Sequence, residues 1–244
     1  MYYSIQHSIN TKIVGKFMQS EFMAYNYEYV DNPKFLNNIY FEKINFTPIT
    51  PKPILHKKAK LTDLISNVNS GGNLHLILSE KLKNIIEKYN NDRLQFFETK
   101  LIQNDKEYVN YYSLNMFASN FENIDFKNSE TFYYKQKPDY EVSFKREKIL
   151  LDIENQIDFF EYVNDAKVKA EILCIEKLCL IKNIEVDFFM LRYVEGGVKY
   201  IVSKKLKQEI EDTGCTGIEF QPVELSLNEW LMPGGEREKM YGKA

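Results

Sequence analysis

One short stretch of the chain combines carboxylates with aromatic residues, and these residue types could serve either catalysis or binding. The carboxylates are Asp152, Glu154, Asp158, Glu161 and Asp165, and between them lie Phe159, Phe160 and Tyr162. On a helix, Asp158, Glu161 and Asp165 would share one face. Paired carboxylates can act as general acid and general base. A solvated face is the commoner reason for such a run, and aromatic side chains among charges are typical of a protein-binding surface.

The stretch therefore predicts a partner-binding face. Its candidate residues are Asp152, Glu154, Asp158, Phe159, Glu161, Tyr162 and Asp165. The alternative is an enzyme of unknown reaction whose site uses the same carboxylates. Tight complex formation with a protein would favour the first hypothesis, and turnover of a substrate would favour the second.

Other residue types that often carry chemistry are not arranged for it. His7, His56 and His75 are far apart, and none belongs to a zinc-binding H-E-x-x-H pattern. The paired glycines at 71–72, 196–197 and 234–235 lack the following Lys-Ser or Lys-Thr of a phosphate-binding loop. The three cysteines contain no C-x-x-C pair and are predicted to be reduced thiols. The sequence thus predicts no catalytic, cofactor or metal site.

Composition places the chain among ordinary globular proteins. Its 244 residues are 44% hydrophobic and 27% charged, which suffices for a substantial core. The formal net charge of -3 disfavours binding to nucleic acid and slightly favours a basic partner. The first residues do not resemble a secretory signal, and no apolar run is long enough to cross a bilayer. We therefore expect no membrane association and a cytoplasmic protein; the oligomeric state is left open.

An internal repeat indicates how the chain is built. Residues 72–101 and 196–225 align without a gap, with identities that include Lys-Leu-Lys at 81–83 and 205–207. Each copy reads as a strand, a serine, a helix, a turn and a second strand. Ser79 and Ser203 stand where a helix N-cap is required, so the helices are predicted to begin at Glu80 and Lys204. We interpret these two units as structural scaffold rather than as catalytic sites.

The second copy carries a family resemblance. An apolar strand and serine at 201–203, a helix at 204–213, a Gly-Cys-Thr-Gly turn at 214–217 and Phe220 follow one another. Together with the blocks at 61–83 and 111–117, this order resembles the immunity protein 11 family of bacterial polymorphic toxin systems. The similarity covers residues 61–225. It implies a protein that neutralises a cognate toxin by binding it, and it brings no catalytic motif.

The remaining segments complete an α+β prediction with a mostly antiparallel or mixed sheet and helices packed to one side. We expect a short helix at 61–68, strands at 107–117, 146–154 and 185–193, and a hairpin from the last of these into 198–202. Residues 166–181 are predicted to form a strand pair, 120–140 a loop between the halves, and the last residues a loose tail. The corresponding division is an N-terminal segment at 1–54, repeat lobes at 55–136 and 137–225, and a tail at 226–244, all within one two-lobed domain.

Overall fold

Strands outnumber helices in the part of the chain that the structure describes. The structure is a computed structural model and describes residues 1–23, 31–67, 75–89, 92–136 and 146–243. The strands are β1 (Tyr2–His7), β2 (Ser20–Met23), β3 (Pro53–Leu55), β4 (Leu64–Ile65), β5 (Leu76–Ser79), β6 (Leu94–Gln103), β7 (Lys106–Met116), β8 (Glu130–Gln136), β9 (Arg146–Leu151), β10 (Ile172–Lys177), β11 (Phe188–Val194), β12 (Gly197–Ser203) and β13 (Ile218–Pro222). The helices are α1 (Thr11–Val14), α2 (Glu80–Glu87), α3 (Gln156–Lys169), α4 (Lys204–Asp212), α5 (Leu227–Leu231) and α6 (Glu236–Tyr241).

The strands form two mixed sheets. The seven-stranded sheet has the order β13-β1-β12-β11-β10-β8-β9, and the six-stranded sheet has the order β2-β3-β6-β7-β5-β4. Neighbouring strands are antiparallel except in the pairs β3–β6 and β10–β11, which are parallel. The predicted α+β class is confirmed, and so is the hairpin of β11 and β12.

Both copies of the repeat fold as a strand, a capped helix and a second strand. The Ser79 hydroxyl oxygen accepts a hydrogen bond from the Leu82 amide at 3.3 Å, and Ser203 accepts one from Leu206 at 3.2 Å. The helices α2 and α4 begin at Glu80 and Lys204, as predicted. The φ and ψ angles of the two serines are -67° and 160° in one copy and -68° and 162° in the other.

A third strand separates the two strands of each unit. In the first unit β7 lies between β5 and β6, and in the second unit β1 lies between β12 and β13. Because each middle strand is antiparallel to both neighbours, the outer strands of a unit run in the same direction. The two units therefore share an architecture but fill the middle position with different parts of the chain.

The likeness extends upstream of the aligned residues. Asp63 precedes β4 and Asp187 precedes β11, each 16 residues before its cap serine. The Asp63 carbonyl accepts a hydrogen bond from the Ser79 amide, and the Asp187 carbonyl accepts one from the Ser203 amide, both at 2.8 Å. The gap-free alignment consequently continues back to these two aspartates.

The main core lies where the two units meet. Helix α2 contributes its buried stripe, and helix α4 contributes Leu206 and Ile210. Alternate residues of β5 and of β11 face this core, among them Leu78 and Phe188. A second core covers the opposite face of the seven-stranded sheet, where Phe189 and Leu191 pack under α3. Helices thus cover both faces of that sheet, and the expectation that they pack to one side is wrong.

A polar joint connects the two units beside this core. The Asp63 and Leu64 amides both donate to the Thr216 carbonyl, and the Asp63 carboxylate accepts from the Thr216 amide at 2.8 Å and from the Ser79 hydroxyl at 2.6 Å. Lys81 lies 3.1 Å from the same carboxylate. These bonds explain why residues 61–67 do not form the helix predicted for 61–68: their backbone pairs with β5 as β4 and with the turn of the second unit. Residue 68 lies outside the described ranges.

Three further expectations are corrected. Residues 166–181 are not a strand pair, because α3 continues to Lys169 and only β10 follows. The expected loop at 120–140 contains β8 and a 3-10 helix at Phe121–Asn123. The last residues form α5 and α6 rather than a loose tail. The Gly71-Gly72 turn lies outside the described residues, and so does part of the expected loop, from residue 137 onward.

Residues after β13 are held to the body by a buried ion pair. The guanidinium of Arg237 donates to both carboxylate oxygens of Glu219 at 2.8 and 2.7 Å, and each residue is only 2% exposed. The Ser8 hydroxyl donates to the same carboxylate at 2.9 Å. Trp230 of α5 is also buried. These contacts explain why regular structure continues beyond Pro233-Gly234-Gly235.

Candidate functional site

Helix α3 positions most of the residues predicted to bind a partner. Its N-cap is Asn155, whose side-chain oxygen accepts hydrogen bonds from the amides of Ile157 and Asp158 at 2.8 and 3.1 Å. Asp158 in the first turn and Lys167 and Lys169 in the last turn complement the helix dipole. The helix ends at Ala170, which adopts a left-handed conformation with φ of 54°.

One face of α3 is buried, and this places Phe159 away from any partner. Phe159, Val163 and Ala166 pack into the second core, and Phe159 is 0% exposed. Its ring lies 5.0 Å from that of Phe126 and 5.8 Å from that of Tyr193, measured between centroids. The prediction that Phe159 contacts a partner is therefore wrong. Its ring anchors α3 to the sheet, because burying a large apolar ring away from water is stabilising.

The acidic residues lie on the exposed side of α3 and just before it. Asp158 and Asp165 are half-buried, whereas Glu161, Asp152 and Glu154 are exposed. Asp158 accepts a hydrogen bond from the Asn155 side chain at 2.9 Å. Asp165 accepts one from Lys169 at 2.7 Å and one from the Tyr133 hydroxyl at 3.0 Å. The structure thus brings Asp158, Glu161 and Asp165 together, while Asp152 and Glu154 precede the helix.

The electrostatic environment of Asp165 does not favour acid-base catalysis at neutral pH. Hydrogen bonds from Lys169 and then from Tyr133 hold the pKa of Asp165 below its ordinary value. A general acid or base works best with a pKa near the working pH, which requires a shift in the opposite direction. The pKa of Tyr133 is raised, first by burial and then by its bonds to Glu171 and Asp165.

Two apolar side chains that the sequence reasoning missed flank this acidic surface. Ile157 is 74% exposed and Val168 is 87% exposed. They are 11 residues apart, about three helical turns, so they lie on the same side of α3 as Glu161. We call the set Ile157, Asp158, Glu161, Tyr162, Asp165 and Val168 the outer face of α3. The helical spacing of Ile157, Glu161 and Val168 is the signal that could have identified the apolar pair.

A groove near one end of the seven-stranded sheet contains Cys174, a residue type that can act as a nucleophile. The groove has a volume of about 500 Å³ and is also lined by Tyr134, Lys148 and Glu176. Burial raises the pKa of the Cys174 thiol, and the Gly196 amide donates to its sulfur at 3.0 Å. A thiol with a raised pKa is a poor nucleophile because the thiolate is the reactive form. The Glu176 carboxylate is engaged by Tyr134 and by Lys148.

Comparison with known proteins assigns the chain to a family. Residues 27–225 match the immunity protein family Imm11. The chain belongs to the Imm11 immunity protein family. The matched range ends at Leu225, as the sequence resemblance does, but begins earlier and includes β3 through β13. No curated protein is found to match this Imm11 chain.

Family membership supports an immunity function and implies a toxin as partner in general terms. Several structural elements of this Imm11 protein lie outside the matched range, namely β1, α1 and β2 before it and α5 and α6 after it. Within the described residues no cluster of His, Cys, Asp and Glu could hold a metal ion. None of the helices in the described ranges is long and apolar enough to span a membrane.

Proposed function

We propose that this Imm11 protein neutralises a cognate toxin by forming a stoichiometric complex with it, and that the outer face of α3 is the contact surface. The complex forms in the cytoplasm and requires no cofactor. The observation that carries the proposal is the juxtaposition of three carboxylates with Ile157 and Val168 on one exposed helix face. The family's immunity role supports it.

Charge and exposed apolar area serve different steps of binding on this face. Asp158 and Glu161 give it negative charge, which speeds encounter with a basic toxin surface, whereas the charge of Asp165 is offset by Lys169. Ile157 and Val168 provide apolar area whose removal from water stabilises the complex once formed. Tyr162, which is 38% exposed, adds an aromatic side chain of the kind enriched at binding hot spots.

The test is titration of the toxin's activity by the full chain. A binding inhibitor abolishes activity at one equivalent, because each molecule is consumed by one toxin. Protection at far below one equivalent, with chemical modification of the toxin or of its target, would instead establish the enzyme hypothesis.

Charge reversal then tests the face. Replacing Asp158 and Glu161 with Lys should slow association at low salt by about tenfold or more and weaken protection. A matched control reverses two exposed acids elsewhere, Glu98 and Glu224. Thermal unfolding of both double variants checks the fold, since Asp158 also stabilises the start of α3.

The apolar pair has its own variant. Ile157→Asn with Val168→Asn should leave stability nearly unchanged, because both side chains are largely exposed, and should raise the dissociation rate. If the charge-reversal variant of Asp158 and Glu161 and the asparagine variant of Ile157 and Val168 both protect as well as the wild type, the outer face of α3 is not the toxin-binding surface.

A further inference from the structure

Arg192 occupies an irregular point of the fold, at the end of β11. The pairing of β11 with β12 shifts register between Arg192 and Val194, as in a β-bulge. Tyr193 beside it has φ of 63°, and Phe41 from a distant loop has φ of 57°. Positive φ is unfavourable for aromatic residues, and such strain clusters at functional positions. Bulges commonly re-aim a side chain in this way.

Aromatic rings hold the guanidinium of Arg192 in place. Its central carbon lies 4.6 Å from the ring centroid of Phe41, 5.4 Å from that of Tyr193 and 5.6 Å from that of Phe121. Stacking of this kind fixes the plane of the guanidinium and hence the directions of its N–H groups. The side chain is therefore prearranged before any ligand arrives.

The guanidinium has no anionic partner within the described ranges of the chain. No carboxylate there forms an ion pair with Arg192, whereas Arg237 pairs with Glu219 and Arg93 pairs with Glu122. The Nε atom of Arg192 is buried, and no described acceptor hydrogen-bonds to it. Leaving a buried donor unsatisfied costs free energy, because the donor has lost its bonds to water. An acceptor supplied from outside would recover that cost.

A recess of about 360 Å³ opens beside this guanidinium, between α3 and the β11–β12 hairpin. Its walls are mainly apolar, with Val163, Ala166 and Val198 among them, and Lys167 adds a second cation. Glu171 is the acidic residue of the lining, and its carboxylate lies close enough to Tyr133 to help raise the pKa of that hydroxyl. The recess thus offers a stacked arginine and a lysine within apolar walls.

We propose that this recess receives the carboxylate of an aspartate or glutamate side chain of the toxin, with Arg192 as its main ligand. The planar fork of an arginine matches a carboxylate through two parallel N–H···O bonds. Apolar walls exclude water and contact the methylene groups of the entering side chain. This inference rests on the proposed function, because the carboxylate belongs to the toxin that the protein is proposed to bind.

The outer face of α3 and the recess differ in the charge that they bind, and this difference affects partner specificity. The outer face of α3 attracts basic residues, while the recess requires an acidic one. A partner must therefore present both signs of charge in the correct register, and a uniformly basic toxin leaves Arg192 without a ligand.

The first experiment measures the dissociation constant of the complex between the full chain and the cognate toxin domain. Arg192→Gln should weaken binding at least tenfold, and Arg192→Lys should restore only part of the loss, because lysine lacks the planar fork. Arg146→Gln removes an exposed arginine and is the matched control, with a change of less than twofold. Arg192→Glu should regain affinity for one toxin variant in which a single acid is replaced by Arg, and thermal unfolding excludes a folding defect.

A second measurement does not need the toxin. Millimolar N-acetylglutamate amide should shift the NMR signal of the Arg192 Nε–H group, and N-acetylglutamine amide should not. If the wild type binds toxin and Arg192→Gln binds equally well, the inference is overturned while the proposed function stands. If the wild type does not bind toxin, the proposed function fails, and a shift by N-acetylglutamate amide alone keeps the recess as a carboxylate site. The absence of both effects eliminates the recess as a binding site.

Discussion

Burial decides the energetic role of individual charged and titratable residues in this protein. Lys100 and Glu107 pair at the protein surface, where an ion pair contributes little because water screens it. Arg237 and Glu219 pair out of contact with water, where neither charge can be left alone. Two residue-scale predictions follow from this contrast.

Arg237→Met should destabilise the protein by about 3–5 kcal/mol, because it leaves the buried Glu219 carboxylate without its counter-charge. Chemical denaturation measures the change. The double variant Arg237→Met with Glu219→Leu should be less destabilised than the single variant, since it removes both charges. A double variant as unstable as the sum of the two single variants would contradict this account.

His7 should make stability fall in mild acid. Burial lowers the pKa of its imidazole from 6.5 to about 4. Between these values the unfolded chain binds a proton that the folded protein does not, so stability is complete above pH 6.5 and decreases as the pH falls toward 4. Linkage puts the loss at about 2 kcal/mol between pH 7 and 5.

Denaturant unfolding at pH 7, 6 and 5 measures this loss, and His7→Asn is the control because it cannot titrate. The difference in stability between the wild type and His7→Asn should change across this pH range. A constant difference would show that His7 does not titrate as its burial implies.

At the scale of elements, the helix starts were predictable because the signal is local. A serine at the N-cap needs only the amides of the next turn, and these are always nearby in sequence. The apolar stripe of α2 is equally local. The two serines nevertheless differ in the structure, because Ser79 also donates to the buried carboxylate of Asp63 and thereby joins two elements.

Ser203→Ala should therefore cost about 1 kcal/mol, the ordinary value for an N-cap. Ser79→Ala should cost roughly 2–3 kcal/mol, because it removes the cap and also a donor from a buried carboxylate. Equilibrium unfolding of the two variants compares them directly. Adding Asp63→Asn to each serine variant tests the cause. The stability costs of Asp63→Asn and Ser79→Ala should be non-additive, whereas those of Asp63→Asn and Ser203→Ala should add.

Elements that depend on distant partners could not be predicted in the same way. Residues 61–68 have helical spacing, but β4 forms because β5 and Thr216 supply partners for its backbone. The end of α3 was missed because Ala170 takes the left-handed position that a glycine usually marks. The acidic candidates on the surface of α3 could be placed from helical periodicity. Arg192 could not, since its aromatic neighbours Phe41 and Phe121 come from separate parts of the chain.

At the scale of the whole molecule, the joint between the two units depends on a close approach of their backbones. A Cβ atom on Gly217 would lie 2.5 Å from the Leu64 carbonyl oxygen and 2.5 Å from the Thr62 hydroxyl. Gly214 in the same turn also has positive φ, but a Cβ there would meet nothing within 4 Å. Gly214 is therefore a matched control for substitution of Gly217.

Gly217→Ala should destabilise the protein by several kcal/mol, because the joint must separate to admit the methyl group. Gly214→Ala should cost only about 1 kcal/mol, the conformational penalty of positive φ. Thermal unfolding ranks the two variants, and native-state hydrogen exchange at the Asp63 and Leu64 amides shows whether the joint has opened. Equal costs would mean that the close approach does not limit stability.

The different origin of the middle strands has a consequence during synthesis. The first unit takes its middle strand, β7, from residues that directly follow β6, so all its strands exist once Met116 has been made. The second unit uses β1, and Gln6 of that strand hydrogen-bonds a side chain 215 residues later in the sequence, that of Gln221. At about 5–20 residues per second, a ribosome needs roughly 10–40 s to cover that separation. For most of that interval neither neighbour of β1 has been translated, because β12 begins only at Gly197 and β13 at Ile218.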